Sequence, residues 1–164
     1  MITGKAPPVG TKVTDFELPD ERDAPVRFSD IRSGGPVLVL FYPSDFGMLC
    51  SIQMGEVRDN YHRFEEIGIK VIGISTNTYY SHAAWSSNMK LPFTLLSDVD
   101  GKVAKAFGVL CPEDSWFKGR ACRSAFLVSK EGELVYIWVP EDTHHTPDIS
   151  KLVEECRKAL EGSR

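Results

Sequence analysis

Cys50 stands between two unlike segments, the apolar run from Pro36 to Tyr42 and a stripe of apolar residues at Met54, Val57, Tyr61 and Phe64 in steps of three and four. A sulfur at such a strand-to-helix junction lies in the first turn of the helix. There the backbone N–H groups have no intrahelical partner and the helix dipole presents its positive end, so a thiolate is favoured. That is the setting of a reactive thiol. The four cysteines, Cys50, Cys111, Cys122 and Cys156, contain no CxxC and no zinc-ligand pair. His62, His82, His144 and His145 are too dispersed for a metal site, and the adjacent pair His144 and His145 reads as solvated loop. Cys111 and Cys122 lie in or beside the loop from Leu110 to Arg120, the place for a second reacting thiol, whereas Cys156 falls on the apolar stripe of a closing helix and reads as packing.

The elements that must position Cys50 follow from periodicity. Val13 to Leu18 alternates as a half-buried strand, Pro19 to Pro25 reads as a turn, and Val26 to Phe28 returns as a hairpin partner. Val37 to Tyr42, bracketed by Gly35-Pro36 and Pro43, reads as a central strand buried on both faces. One helix is expected from Cys50 to near Gly68, then a strand over Ile69 to Ile74, a helix over Tyr79 to Met89 and a short helix over Lys102 to Phe107. Ser124 to Val128 and Leu134 to Val139 form a late hairpin that adds antiparallel edges. Thr146 and Pro147 are the expected N-cap and first position of the last helix. This order implies a parallel pair with a right-handed crossover in a mixed-sheet α/β layer.

At 164 residues, 42% hydrophobic and 26% charged, the chain is expected to be one globular domain over residues 1–164. A net charge of −4 with scattered Lys and Arg gives no footprint for nucleic acid. No apolar run approaches the ~18 residues of a membrane span. The N-terminus from Met1 to Pro8 lacks a signal-peptide pattern. A cytoplasmic protein is expected, whose cysteines are thiols first and disulfides only transiently.

The stretch from Phe41 to Cys50 resembles the active-site loop of peroxiredoxins, whose pattern is Pro, three residues, Thr or Ser, two residues, Cys. Pro43 and Cys50 match it. Gly55 to Tyr61 and Ser75 to Trp85 resemble the alkyl hydroperoxide reductase branch, and Arg123 to Val128 continues the likeness in the family's order. The resemblance implies a thioredoxin-like fold, with a central mixed sheet flanked by helices and an N-terminal β-hairpin extension. It implies that Cys50 attacks the O–O bond of hydrogen peroxide or a small alkyl hydroperoxide and becomes a sulfenic acid. Pro43 would shield the sulfur, and Arg123 would hold a guanidinium against it and the peroxide oxygen. Trp85 matches a family aromatic near the site. No metal, haem, flavin or other cofactor is implied. The implied partners are peroxide, a thioredoxin-like or other thiol reductant, and a second copy in a homodimer or larger assembly.

Two positions depart from the pattern. Gly47 stands where the family has Thr or Ser, and Gln53 where Glu is common. The first matters more. Lowering a thiol pKa by about two from ~8.5 raises the thiolate fraction roughly 25-fold, while nucleophilicity falls about 8-fold for a Brønsted slope of ~0.4–0.5. Fast peroxide reduction therefore rests on oriented hydrogen bonds, and one missing donor costs about 10²–10³ in rate. Ser44 or Ser51 are the nearby hydroxyls. Gly47 thus supports a rival reading, a redox-sensing or binding protein with low turnover on the same fold. A general thiol–disulfide oxidoreductase is disfavoured by the lack of CxxC. Neither Cys111 nor Cys122 matches a family resolving position, and no Val-Cys-Pro tail follows the last helix, so reduction by an outside thiol is the alternative to an internal partner.

Overall fold

The structure, a computed structural model, describes residues 6–162; Met1 to Lys5, part of the N-terminal reading above, lie outside the described residues. The elements are β1 (Glu17–Pro19), β2 (Pro25–Arg27), α1 (Phe28–Arg32), β3 (Val37–Phe41), α2 (Met48–Asp59), α3 (Tyr61–Glu66), β4 (Lys70–Ser75), α4 (Tyr79–Met89), β5 (Thr94–Ser97), α5 (Lys102–Ala106), β6 (Ser124–Val128), β7 (Leu134–Trp138) and α6 (Ile149–Gly162). The main sheet has the order β5-β4-β3-β6-β7, and β1 and β2 form a separate two-stranded sheet. β3 pairs parallel with β4 and antiparallel with β6, so parallel and antiparallel halves meet on the central strand. This is the thioredoxin-like arrangement with an N-terminal hairpin.

Period-two alternation divides the core between the two faces of the sheet. Leu38, Leu40 and Tyr42 pack with Val71, Ala125 and Leu127 under α2, α4 and α6, and Cys50 belongs to this cluster. Val37, Val39 and Phe41 pack on the other face with Ile72, Ile74, Phe126, Phe28 and Phe107. All five residues of β3 are fully buried, which is why its sequence is a continuous apolar run. Gly73 in β4 leaves room for this packing, since a Cβ there would lie 2.7 Å from Leu95 and 3.3 Å from the Tyr42 ring.

Several boundaries differ from the sequence expectation. The helix expected to run to Gly68 is two helices, because Asn60 turns its side chain and its own N–H back onto Glu56 O and closes α2. The apolar stripe reads through the break because Tyr61 and Phe64 still pack against the Cys50-side cluster. The N-terminal strand is shorter than Val13 to Leu18: Val13 N–H bonds Gly132 O and Lys12 bridges Glu133, so only Glu17–Pro19 pair with β2. β5 was not expected; its Leu95 and Leu96 point into opposite clusters, so no polar alternation marks it. β6 is an interior strand, and of the late hairpin only β7 is an edge. The N-cap of α6 is Asp148, whose Oδ1 accepts from Lys151 N–H at 3.1 Å, rather than Thr146.

Candidate active site

β3 ends at Phe41 and the chain turns through Pro43 to Gly47 before α2 begins at Met48. Cys50 is the third residue of that helix, where its N–H has no intrahelical acceptor. It is 3% exposed, whereas Phe46 (58% exposed) and Met48 (77%), just before it in the chain, face solvent. Only a small oxidant approaches such a sulfur without rearrangement.

Arg123 comes from the residue before β6 and is 2% exposed. Its Nη1 lies 3.4 Å from Cys50 Sγ and 2.7 Å from Gln53 Oε1. Its Nε donates to Thr143 O at 2.8 Å, and its N–H donates to Thr143 Oγ1 at 2.8 Å. The guanidinium is therefore fixed at both ends with one edge on the sulfur. Gln53 sits one turn after Cys50 on α2 and is 1% exposed; its Oε1 orients Arg123 without adding the negative charge a Glu would bring. Its Nε2 has no partner. Pro43 is buried, and its carbonyl accepts from Arg120 Nη1 at 3.3 Å.

Gly47 has ordinary extended angles, φ −65° and ψ 144°, and is the N-cap of α2 without a side-chain cap. A Cβ there would lie 3.5 Å from Cys50 Sγ and 3.3 Å from Ser44 O. The nearby hydroxyls are engaged elsewhere. Ser44 Oγ donates to Asp45 O at 2.9 Å, and Ser51 Oγ accepts from Trp85 Nε1 at 3.4 Å. Trp85 also lies against the Tyr42 ring, with centroids 5.3 Å apart.

A residue of the loop that sequence reasoning passed over is Asp45, 4% exposed. Its Oδ1 accepts from Tyr42 Oη at 2.7 Å, and its Oδ2 accepts from Ser81 Oγ at 2.9 Å and faces His82 Nδ1 at 2.7 Å. Its N–H donates to Asn77 Oδ1 at 3.0 Å. Burial, and then the Asp45 carboxylate, push the Tyr42 hydroxyl well above its ordinary pKa. Phe46, the next residue, takes a left-handed φ of 63°. For a non-glycine residue this costs about 1–2 kcal/mol, which the bonds of Asp45 offset.

A buried thiol, 3% exposed, under a fixed guanidinium and at a helix start fits reaction with a small electrophile. The pattern of the AhpC/TSA family matches residues 9–137. The chain belongs to the AhpC/TSA family of peroxiredoxins. It is 37% identical over 150 residues to a chloroplastic peroxiredoxin Q of Sedum lineare, covering 90% of this chain and 78% of that protein. It is 30% identical over 165 residues to the chloroplastic 2-Cys peroxiredoxin BAS1 of Hordeum vulgare, covering 94% and 74%. Among solved structures, peroxidoxin BcpB from Mycobacterium tuberculosis superposes with a TM-score of 0.80 at 30% identity, over 92% of this chain and 96% of that one. AhpC of Enterococcus faecalis does so at 0.84 and 27%, over 94% and 93%. The protein is a thiol-dependent peroxidase; the low-turnover sensor reading is not favoured. The same relatives correct the cytoplasmic expectation, since their names place them in chloroplasts, and charge and composition carry no address. Among the described residues no helix is long and apolar enough to cross a membrane.

In this peroxiredoxin the two candidate resolving cysteines are bonded to each other, and Cys50 is free. Cys111 and Cys122 are joined in a disulfide with Cα atoms 5.2 Å apart. The antiparallel bridge Leu110–Ala121, with Cys111 N–H on Arg120 O and Cys122 N–H on Val109 O, sets the two side by side at a bondable separation. The expectation that these cysteines rest as thiols is likewise corrected. Cys156 is fully buried, and burial pushes its thiol up to about 12. His144 is solvated and bonds Asp142 at 2.7 Å, as a surface loop residue.

Proposed function

We propose that Cys50 is the peroxidatic cysteine of a one-cysteine cycle contained in a single domain over residues 1–164. Cys50 thiolate attacks the distal oxygen of ROOH; an S–O bond forms, the O–O bond breaks, and RO⁻ leaves to take up a proton as ROH. The substrate is hydrogen peroxide or a small alkyl hydroperoxide. Arg123 Nη1 donates to the sulfur and to the oxygen arriving beside it, the backbone N–H of Cys50 in the first turn of α2 is a second donor for that oxygen, and Pro43 excludes water from the sulfenic acid. The sulfenic acid condenses with an outside thiol to a mixed disulfide and water, and a second thiol releases Cys50. A thioredoxin-like dithiol is the proposed donor, and the assembly is a homodimer or larger.

The observation that carries this reading is the 3.4 Å contact of Arg123 Nη1 with Cys50 Sγ. Support for an outside thiol comes from the partner cysteines, two of which are already joined and one of which is fully buried. The test is peroxide consumption by purified protein with dithiothreitol as donor. Cys50→Ser is expected to abolish it, and unchanged consumption removes the reading. Mass spectrometry after one equivalent of peroxide is expected to show an oxidised Cys50 monothiol; a disulfide from Cys50 to a cysteine of the chain would replace the one-cysteine cycle.

A further inference from the structure

We infer that the buried Asp45–His82 pair is the positioning device that sets the in-line geometry at Cys50; the inference rests on Cys50 as the reacting sulfur. Three elements converge on the Asp45 carboxyl and backbone, and a fourth holds His82. Tyr42 extends from β3, Asn77 follows β4, Ser81 and His82 belong to α4, and His82 Nε2 reaches Leu96 O of β5 at 3.1 Å. Asn77 is itself held by Ser75 Oγ at 2.8 Å. Asp45 is thus tied to the sheet and to α4 on every side, five residues before Cys50.

The proton count makes this an ordered unit rather than a collection of contacts. A carbonyl only accepts, so the proton on Nε2 is fixed by Leu96 O. Tyr42 and Ser81 donate to the carboxyl, and the 2.7 Å approach of Nδ1 to Oδ2 requires one further proton between them. One proton therefore lies between Nδ1 and Oδ2, and each ring nitrogen has its own partner. His82 is fully buried, Asp45 nearly so, and neither touches the sulfur by a hydrogen bond.

What the pair holds is the turn. Asp45 is followed by Phe46 in the left-handed region and by Gly47, where α2 begins. Gly47 supplies no hydroxyl to hold the sulfur locally, so the direction of the first turn of α2 depends on the anchor before it. Peroxide reduction needs the oxygen pair in line with sulfur, and misplacement on the order of 1 Å costs about 10²-fold. Alkylation by iodoacetamide makes no such demand on the oxyanion donors. The ratio of the two rates separates positioning from general damage.

The experiment measures second-order rate constants of Cys50 with hydrogen peroxide and with iodoacetamide, alongside thermal midpoints, in Asp45→Ala, Asp45→Asn and Tyr42→Phe. Asp45→Ala is expected to lower the peroxide constant at least about tenfold while alkylation changes by less than about threefold. Asp45→Asn is expected to stay within about threefold of the parent in both, because its amide can donate to Nδ1 of the neutral ring and accept from Tyr42. If Asp45→Ala does not fold, Tyr42→Phe carries the test, with an expected fall of at least about threefold in the peroxide constant alone. Parent-like peroxide rates in folded Asp45→Ala or Tyr42→Phe, or an equal fall in both reactions, overturn the inference. Peroxide consumption that survives Cys50→Ser would instead remove the function it rests on.

Discussion

A side chain at position 47 would reach the sulfur, since the Cβ would lie 3.5 Å from Cys50 Sγ, and the backbone there accepts any residue. The contact of 3.3 Å with Ser44 O asks for a shift of a few tenths of an ångström. Gly47→Ser is therefore expected to raise the peroxide rate constant by about tenfold or more, as one oriented donor can do. Gly47→Ala, which adds the carbon without the hydroxyl, is expected to give no gain. Stopped-flow kinetics on the pair decides between donor and packing. At Arg123 the expected effect has the opposite sign. Arg123→Lys loses the simultaneous reach to Thr143 O, Gln53 Oε1 and Cys50 Sγ, and kcat/KM for hydrogen peroxide should fall on the order of 10²-fold with the fold retained.

At the scale of elements, the segment between Cys111 and Cys122 is closed by their disulfide and touches the site through Arg120 on Pro43 O. Replacing both cysteines by Ser is expected to lower the unfolding free energy by about 3 kcal/mol, from the entropy of a loop of this length. Denaturant titration of the double variant checks it. The strands and helices that frame Cys50 were legible from their composition and borders: the continuous apolar run of β3, the apolar runs of β6 and β7 on either side of the Lys130 to Gly132 turn, and the stretch of α4 from Tyr79 to Met89 with His82 and Trp85 three residues apart. What stayed hidden depended on contacts distant in sequence. Asn60 breaks a helix by a local hydrogen bond that periodicity does not register, and β5 feeds two cores at once. Cys50, Arg123 and Gln53 were readable as candidates and lie together, whereas Asp45 and His82 are 37 residues apart and neither belongs to a pattern that pairs them.

For the whole molecule, the cluster on the Cys50 face ends in α6, where Cys156 is buried with a folded pKa of about 12 against an ordinary 9.0. Because the folded value is raised, its contribution to stability is complete below about pH 9 and is lost as pH rises toward 12. By linkage the loss at pH 10 is about 1 kcal/mol. Cys156→Ala is expected to flatten the decline in unfolding free energy between pH 8 and 10 by about that amount, measured by urea titration at each pH. An identical slope in both proteins would place the alkaline sensitivity elsewhere. The same distribution of sulfur has a practical corollary. With two of the four atoms tied to each other and a third sealed in the core, an electrophilic tag applied to the native protein at neutral pH should add one label per chain, so the adduct count reads out directly the number of working centres in any preparation.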